Sequence, residues 1–224
     1  MIDRLFVPVI ESVFRADWET IHTNLDAVCL EIESVPSVAP PLVAQCLLVS
    51  GEDHRHRHHP GFDFIAIGRA IWRRISRGTR EGGSTIEQQI VRVLTGRYER
   101  TIMRKLREIA LATLVVKRYE KYRLPAAYLW IGYYGWRMNG YLNACRQLGL
   151  SPHALSTQDA ARVVARLKYP QPKTMSAKRM SQIEQRAKHL CVLYRKHMID
   201  GSYKHLNDQT VHEHSAHHQP VPQP

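Results

Sequence analysis

The feature that most constrains the fold is the spacing of apolar residues, which follows the period of an α-helix along most of the chain. Between residues 100 and 119, Ile102, Leu106, Ile109 and Val116 recur three, four or seven residues apart, which places them on one helix face. No run alternates between apolar and polar residues as a half-buried strand does. The pattern predicts helices over 4–33, 41–48, 63–77, 100–119, 139–148, 157–167 and 178–197, and further helices after Ser84 and from Pro125. The chain is therefore predicted to be mainly α.

The second constraint is charge. The 224 residues carry a net charge of +12, and this length fits one compact domain with at most a smaller lobe. A surface this basic favours a polyanionic partner, such as nucleic acid, an anionic membrane or a phosphorylated substrate. Charge alone is equally compatible with a soluble basic protein that binds none of these.

The sequence predicts no disulfide framework, signal peptide or membrane-spanning helix. The cysteines, which form no CxxC pair and mostly have apolar neighbours, are Cys29, Cys46, Cys145 and Cys191; they are predicted to be free thiols. Charged residues interrupt the first 15 positions. Prolines break the uncharged stretch 34–51, and the stretch 124–136 is too short for a span. We interpret 124–136 as a buried helix, although its aromatic residues could also suit a bilayer interface.

An acidic pair, Glu52 and Asp53, follows the apolar segment 41–48. Partial burial at the end of a helix can fit a carboxylate for general-base work, so Glu52 is a candidate base and Asp53 could orient it or a bound group. A solvated acidic pair is the simpler interpretation of these two residues alone. The histidines that follow are His54, His56, His58 and His59. They match no zinc spacing, and we expect His59 to shape the loop before Gly61 and the others to be solvated.

The segment Gly82-Gly83-Ser84-Thr85 precedes a predicted helix. Backbone N–H groups at a helix N-terminus can bind an anion, and the Gln88 and Gln89 amides one turn on can bind sugar hydroxyls. The alternative is ordinary capping, with Ser84 as the cap and Glu87 completing a capping box.

Six basic residues surround or precede a second acid, Glu108. They are Arg92, Arg97, Arg100, Arg104, Lys105 and Arg107. Arg100, Arg104, Arg107 and Glu108 follow one another at offsets of three or four, and a helix face with this spacing could clamp a diphosphate. A surface ion-pair face is the alternative.

Taken in order, the motifs EDxxxxxHxGFD from Glu52, GGSTIxQQ from Gly82 and RKxxE from Arg104 resemble those of the peptidoglycan glycosyltransferases of family 51. The resemblance covers roughly residues 38–172. It implies a lysozyme-like, two-lobed helical fold that polymerises lipid II and releases undecaprenyl diphosphate. It also implies a domain at 38–199, preceded by a helical segment at 1–37. Composition predicts a disordered His-, Gln- and Pro-rich tail at 200–224, where no histidine spacing requires a metal.

The resemblance also implies roles for individual residues. Glu52 corresponds to the general base, which deprotonates the 4-hydroxyl of the acceptor sugar, and Glu108 to the acid that supports the leaving diphosphate through a metal or basic groups. A divalent cation, Mg²⁺ or Mn²⁺, is compatible with this role at Glu108. Residues implied to contact the substrate are Asp53, Ser84, Thr85, Gln88, Gln89, Arg92, Arg100, Arg104, Lys105 and Arg107.

The implied partners are lipid II, the growing glycan strand, a membrane surface at the periplasmic or outer face of the bacterial inner membrane, and a transpeptidase; nucleic acid is not expected. The chain departs from the family pattern at His56 and Val93, and in the fourth motif at Ala126 and Trp130. An inactive or repurposed lipid II binder therefore remains an alternative, followed by a lysozyme-like hydrolase and a nucleic-acid-binding protein.

Overall fold

The computed structural model describes residues 2–78 and 82–206. In this part of the chain the protein is helical and contains no strand, only two isolated bridges at the loop 133–139 and Gln171. The helices are α1 (Ile2–Val13), α2 (Arg15–Ser34), α3 (Leu42–Glu52), α4 (Phe64–Arg77), α5 (Ile86–Thr95), α6 (Ile102–Arg118), α7 (Leu124–Ile131), α8 (Tyr141–Gln147), α9 (Thr157–Lys168) and α10 (Ala177–Ile199). The mainly α prediction is confirmed, and the predicted helix 4–33 is two helices that meet at Phe14.

Side-chain caps fix where the helices near the motifs begin. The Asp63 carboxylate accepts hydrogen bonds from the backbone N–H groups of Ile65 and Ala66 and starts α4. The cap of α5 is Thr85, which accepts from the Gln88 N–H, so the prediction that Ser84 caps this helix is wrong. The capping box is wrong as well, because Glu87 is fully buried and pairs with other side chains.

One main hydrophobic core joins the N-terminal helices to the rest of the chain. It is built from α2, α3, α5, α6, α7, α9 and α10, and a smaller cluster lies around α8. On α2, Ile21, Leu25 and Cys29 are buried in the main core. The segment predicted as 1–37 thus contributes α2 directly to the domain. The described side chains of α4 belong to neither cluster.

The prediction of free cysteines is confirmed, but that of a buried helix over 124–136 holds only for its first part, because α7 ends at Ile131 and both Tyr133 and Trp136 are exposed. All four cysteines are free, and three of them are buried. Helix α7 is buried from Leu124 to Leu129, as expected of a core helix. None of the described helices combines the length and hydrophobicity that a membrane span requires.

The C-terminal end of the described chain is folded. After α10, residues 204–206 form a short 3-10 turn, and Tyr203 and Leu206 are buried against the main core. The first seven residues of the predicted tail, 200–206, therefore belong to the domain. The remainder, 207–224, lies outside the described residues, together with its histidines.

Candidate active site

Glu52 is the last residue of α3 and lines a narrow cleft with Gly82, Gly83 and Ser84. Its Oε1 accepts a hydrogen bond from Arg186 Nη2 at 2.8 Å, and the same Nη2 donates to the Gly51 carbonyl at 2.7 Å. The carboxylate is thus held at the cleft, about one-fifth exposed. Sequence reasoning missed Arg186, since it lies 134 residues from Glu52 on α10 and no local pattern connects them.

Asp53 also lines the Glu52 cleft, but its carboxylate is buried and hydrogen-bonded within the protein. His59 Nε2 lies 3.0 Å from both carboxylate oxygens, and the Ile86 N–H donates to Oδ2 at 3.2 Å. The side chain therefore joins the first motif to the N-terminus of α5, where a negative charge is favoured. The carboxylate thus has its partners within the protein, and the expected contact of Asp53 with substrate stays a prediction.

His59 shapes the loop before Gly61, as predicted. Its Nδ1 accepts from the Gly61 N–H at 3.3 Å, so Nε2 carries the proton that is donated to Asp53. Gly61 has a φ of +98°, and a Cβ there would lie 2.5 Å from the Ala112 carbonyl oxygen. Only glycine fits this contact between the loop and α6.

His56 is fully buried, so the prediction that it is solvated is wrong. Its Nε2 lies 3.3 Å from Glu87 Oε1, and Lys121 Nζ lies 3.1 Å from the same oxygen. Burial alone would raise the pKa of Glu87. The hydrogen bond to His56 and the charge of Lys121 lower the pKa by more than burial raises it, so the net pKa lies well below its ordinary value. Glu87 is therefore an ionised partner of Lys121 in the interior.

Three side chains in this region come close enough together to resemble a metal site. Ligand atoms of Asp53, His59 and Glu87 lie within 4.8 Å of one another. The Lys121 ammonium, however, lies 3.1 Å from Glu87 Oε1 and 3.4 Å from His59 Nδ1. The cluster already contains a cation of the protein, so it does not fit a metal ion.

Glu108 is enclosed by cations. Arg92 binds its carboxylate in a bidentate manner, with Nε 2.8 Å from Oε1 and Nη2 3.1 Å from Oε2. Arg104 Nη1 also donates to Oε1, and Lys105 Nζ lies 3.8 Å from Oε2. Glu108 is 2 % exposed. Oε1 accepts from Arg92 and Arg104 and Oε2 accepts from Arg92, so the carboxylate is a fixed ion-pair partner that orients three positive side chains.

Ser84 connects the two acids. Its Oγ accepts from Arg92 Nη2 at 3.3 Å and from Lys105 Nζ at 2.9 Å, and it lines the Glu52 cleft. Burial lowers the pKa of Lys105 to about 8, with Arg92 and Arg104 adding to the effect and Glu108 opposing it. The cations around Glu108 are therefore connected through Ser84 to the cleft in which Glu52 lies.

Two predicted arginines lie elsewhere. Arg107 Nη1 lies 3.4 Å from Asp17 Oδ2, and its guanidinium stands 5.1 Å from the centre of the Phe14 ring. It therefore anchors the N-terminal helices, and the predicted face of Arg100, Arg104, Arg107 and Glu108 is divided between two sides of α6. Arg100 is exposed on the loop before α6.

The remaining residues predicted to line the donor site have mixed positions. Thr85 is buried, and its hydroxyl donates to the Gly61 carbonyl at 2.7 Å. Gln88 is also buried, with Oε1 accepting from Lys105. Thr85 thus lines the Glu52 cleft from a fixed position, and Gln88 holds the Lys105 ammonium. Gln89 is half-buried and accepts from the Tyr128 hydroxyl at 2.6 Å.

The altered fourth motif is part of the packing. Ala126 is buried, and Trp130 Nε1 donates to Glu31 Oε2 on α2 at 2.9 Å. Neither residue contacts Glu52 or Glu108, so the departures at these positions leave the two acids and their partners intact. A wider cavity of about 510 Å³ lies between α9 and α10 and contains none of the predicted site residues.

The comparisons with known proteins agree with this geometry. A sequence model of the family described as Transglycosylase matches residues 21–195. The chain is 29% identical over 169 residues to a biosynthetic peptidoglycan transglycosylase of Nitrosospira multiformis, covering 74% of this chain and 73% of that protein. It is 32% identical over 141 residues to the protein of the same name in Thiobacillus denitrificans, covering 62% and 60%.

A shorter match links the chain to a monofunctional glycosyltransferase of Staphylococcus epidermidis, with 39% identity over 87 residues; this covers 39% of the chain and only 32% of that protein. The family match includes α2 and ends within α10. Because it spans most of the chain, the protein belongs to the transglycosylase family, the lysozyme-like helical glycosyltransferases of peptidoglycan that its three motifs resemble.

Proposed function

We propose that this chain polymerises lipid II into glycan strands. In this reaction Glu52 removes the proton from the 4-hydroxyl of the acceptor sugar, and the oxygen attacks the anomeric carbon of the donor with inversion. The bond from that carbon to the diphosphate oxygen breaks, and undecaprenyl diphosphate leaves. The position of Glu52, about one-fifth exposed in the cleft that Ser84 also lines, supports the base role.

The observation that carries the proposal is the cluster of Arg92, Arg104 and Lys105 around Glu108, connected to the Glu52 cleft through Ser84. A diphosphate that departs accumulates negative charge on its oxygens. Fixed cations in a partly dry site stabilise that charge without rearrangement and can replace a general acid. Guanidinium groups suit this role, because they bind phosphate oxygens in a bidentate manner.

Glu108 then acts through its neighbours. Without its carboxylate, three cations would repel one another in a half-buried site. We infer that Glu108 keeps these three cations close together beside Ser84, on the side of the Glu52 cleft. In this proposal the three cations themselves meet the leaving-group charge, and no step is routed through a divalent cation.

A lipid-linked substrate also requires access to a membrane. On α4, Phe64, Ile65, Trp72 and Ile75 are all at least 60% exposed and fall on one helix face. At the start of the neighbouring α6, Ile102 and Met103 are exposed as well. An apolar face this large is unusual for a protein surface that meets only water. We infer peripheral contact with the membrane through α4, at the periplasmic or outer face of the bacterial inner membrane.

The similarity to penicillin-binding protein 1B of Vibrio cholerae, 40% identical over 91 residues but covering only 12% of that protein, is compatible with a transpeptidase partner. That partner remains a proposal, as does the identity of the lipid-linked substrate variant.

The test is incubation with labelled lipid II. We expect glycan polymer from the wild type and at least about 10²-fold less from Glu52→Gln, as is usual when a general base is removed. Glu120→Gln, an exposed acid beyond α6, serves as the control and should polymerise normally. Lipid II binding without polymer from the wild type would instead favour a repurposed binder, and cleavage of finished peptidoglycan a hydrolase.

A further inference from the structure

The end of α3 that carries Glu52 is held by residues from the C-terminal part of the chain. Arg186 donates to both the Glu52 carboxylate and the Gly51 carbonyl. The approach of α10 is close, since a Cβ on Gly51 would lie 2.3 Å from Leu190 Cδ2 and 2.8 Å from Arg186 Nη2. Gly51 therefore lets the guanidinium reach both groups at once.

A second contact lies one residue earlier. The Ser50 hydroxyl is hydrogen-bonded to the Tyr203 hydroxyl and, at 3.0 Å, to His197 Nδ1. All three side chains are buried. Burial raises the pKa of Tyr203 to about 12 and lowers the pKa of His197, so both are neutral hydrogen-bonding groups at physiological pH.

A third contact reaches the loop after Glu52. His205 Nε2 lies 3.0 Å from Nδ1 of the buried His56. His197, Tyr203 and His205 all come after residue 195, where the family match ends. They are therefore features of this chain that the family resemblance does not account for.

We propose that α10 and residues 200–206 form a clamp that positions Glu52 for catalysis, with Arg186 holding the carboxylate and Tyr203 holding the helix end through Ser50. This inference rests on the proposed function, because it assigns Glu52 the role of the base. A base must lie within hydrogen-bond reach of the proton it removes, and a displacement of about 1 Å can lower the rate by about 10²-fold. Arg186 restricts the Glu52 carboxylate itself, and Tyr203 restricts the helix end that carries it.

The prediction is that the clamp acts on turnover and leaves substrate affinity unchanged. Arg186→Met should lower kcat by about 10²-fold with KM within about twofold, and Arg186→Lys should recover at least about tenfold of that loss, since it restores one donor and the charge. Tyr203→Phe removes only the hydroxyl and should lower kcat several-fold. Arg195→Met, an exposed position on the same helix, is the matched control and should behave as the wild type.

The measurements are polymerisation kinetics with labelled lipid II, lipid II binding and thermal unfolding of each variant. A kcat of Arg186→Met equal to that of Arg195→Met would overturn the clamp, as would a higher KM at unchanged kcat, which would make Arg186 a substrate-binding residue. If Arg186→Met does not fold, Arg186→Lys and Tyr203→Phe decide by the same criteria. Absence of polymer from the wild type would refute the proposed function instead; in that case, an unfolding temperature unchanged in both Arg186→Met and Tyr203→Phe would remove the clamp as well.

Discussion

Lys105 offers the sharpest test of how the leaving group is stabilised. Its ammonium donates to Ser84 Oγ at 2.9 Å and to Gln88 Oε1, beside Glu108. Burial, with help from Arg92 and Arg104, lowers its pKa to about 8. With this pKa, about 90% of the side chains are protonated at pH 7 and about 10% at pH 9. The fraction of molecules in which Lys105 offers its charge to a diphosphate therefore falls about tenfold over two pH units.

We expect kcat/KM for lipid II polymerisation to fall by about the same factor between pH 7 and pH 9, because kcat/KM reports the groups of the free enzyme. In Lys105→Arg the charge persists above pH 12, so the alkaline decline near pH 8 should disappear. The assay is the initial rate with labelled lipid II at constant ionic strength. Lys117→Arg, an exposed position near the end of the same helix, is the control and should keep the decline.

Unfolding would not imitate this result. In the unfolded chain Lys105 has its ordinary pKa of about 10.4. Between pH 8 and that value the unfolded state holds one proton more than the folded state, so the contribution of this residue to the free energy of unfolding rises with pH. A wild type without an alkaline decline, or a Lys105→Arg variant that retains it, would refute the role of Lys105.

Two further predictions concern Glu108 and α4. Glu108→Gln should lower the free energy of unfolding by about 3 kcal/mol in urea titrations, because it leaves partly buried cations without a counter-charge. The control, Glu184→Gln, breaks an exposed pair with Arg162 and should lower the free energy of unfolding by under about 1 kcal/mol. Equal losses in the two variants would contradict this explanation. Ile75→Glu should weaken binding to anionic phospholipid vesicles by about tenfold in sedimentation assays, since it removes apolar area that the membrane would bury. Val192→Glu, at an exposed aliphatic position on α10, should leave vesicle binding unchanged. Equal binding of both variants would exclude α4 as the membrane-contacting face.

The helices were predictable because their information is local. Apolar spacing and capping residues lie within a few positions of each other, and the predicted and observed bounds of α4, α6, α9 and α10 differ by only one or two residues. The cap of α5 was assigned one residue too early, because both Ser84 and Thr85 can cap a helix. What distinguishes them is the hydrogen bond that the Thr85 hydroxyl accepts from the Gln88 N–H.

The site was predictable only in outline. The motifs identified Glu52, Glu108 and most of the cations, but could not show which residues face inward. Asp53, Thr85 and Gln88 are buried and hydrogen-bonded within the protein, and Arg107 pairs with Asp17 on another helix. A residue on a helix between two neighbours can face either one, and spacing along one chain segment does not tell which.

By itself, then, the sequence determined the helical architecture, the two acids and the basic residues before the second one, since each depends on residue types at short range. The tertiary structure alone decided that Ser84 joins the cations to the Glu52 cleft and that Glu108 forms ion pairs with three of them. It also decided that Arg186 and Tyr203 hold the end of α3. Those contacts join residues up to 153 positions apart. Side chains so distant meet only when the core has packed, because the burial that fixes their orientation is a property of the whole fold.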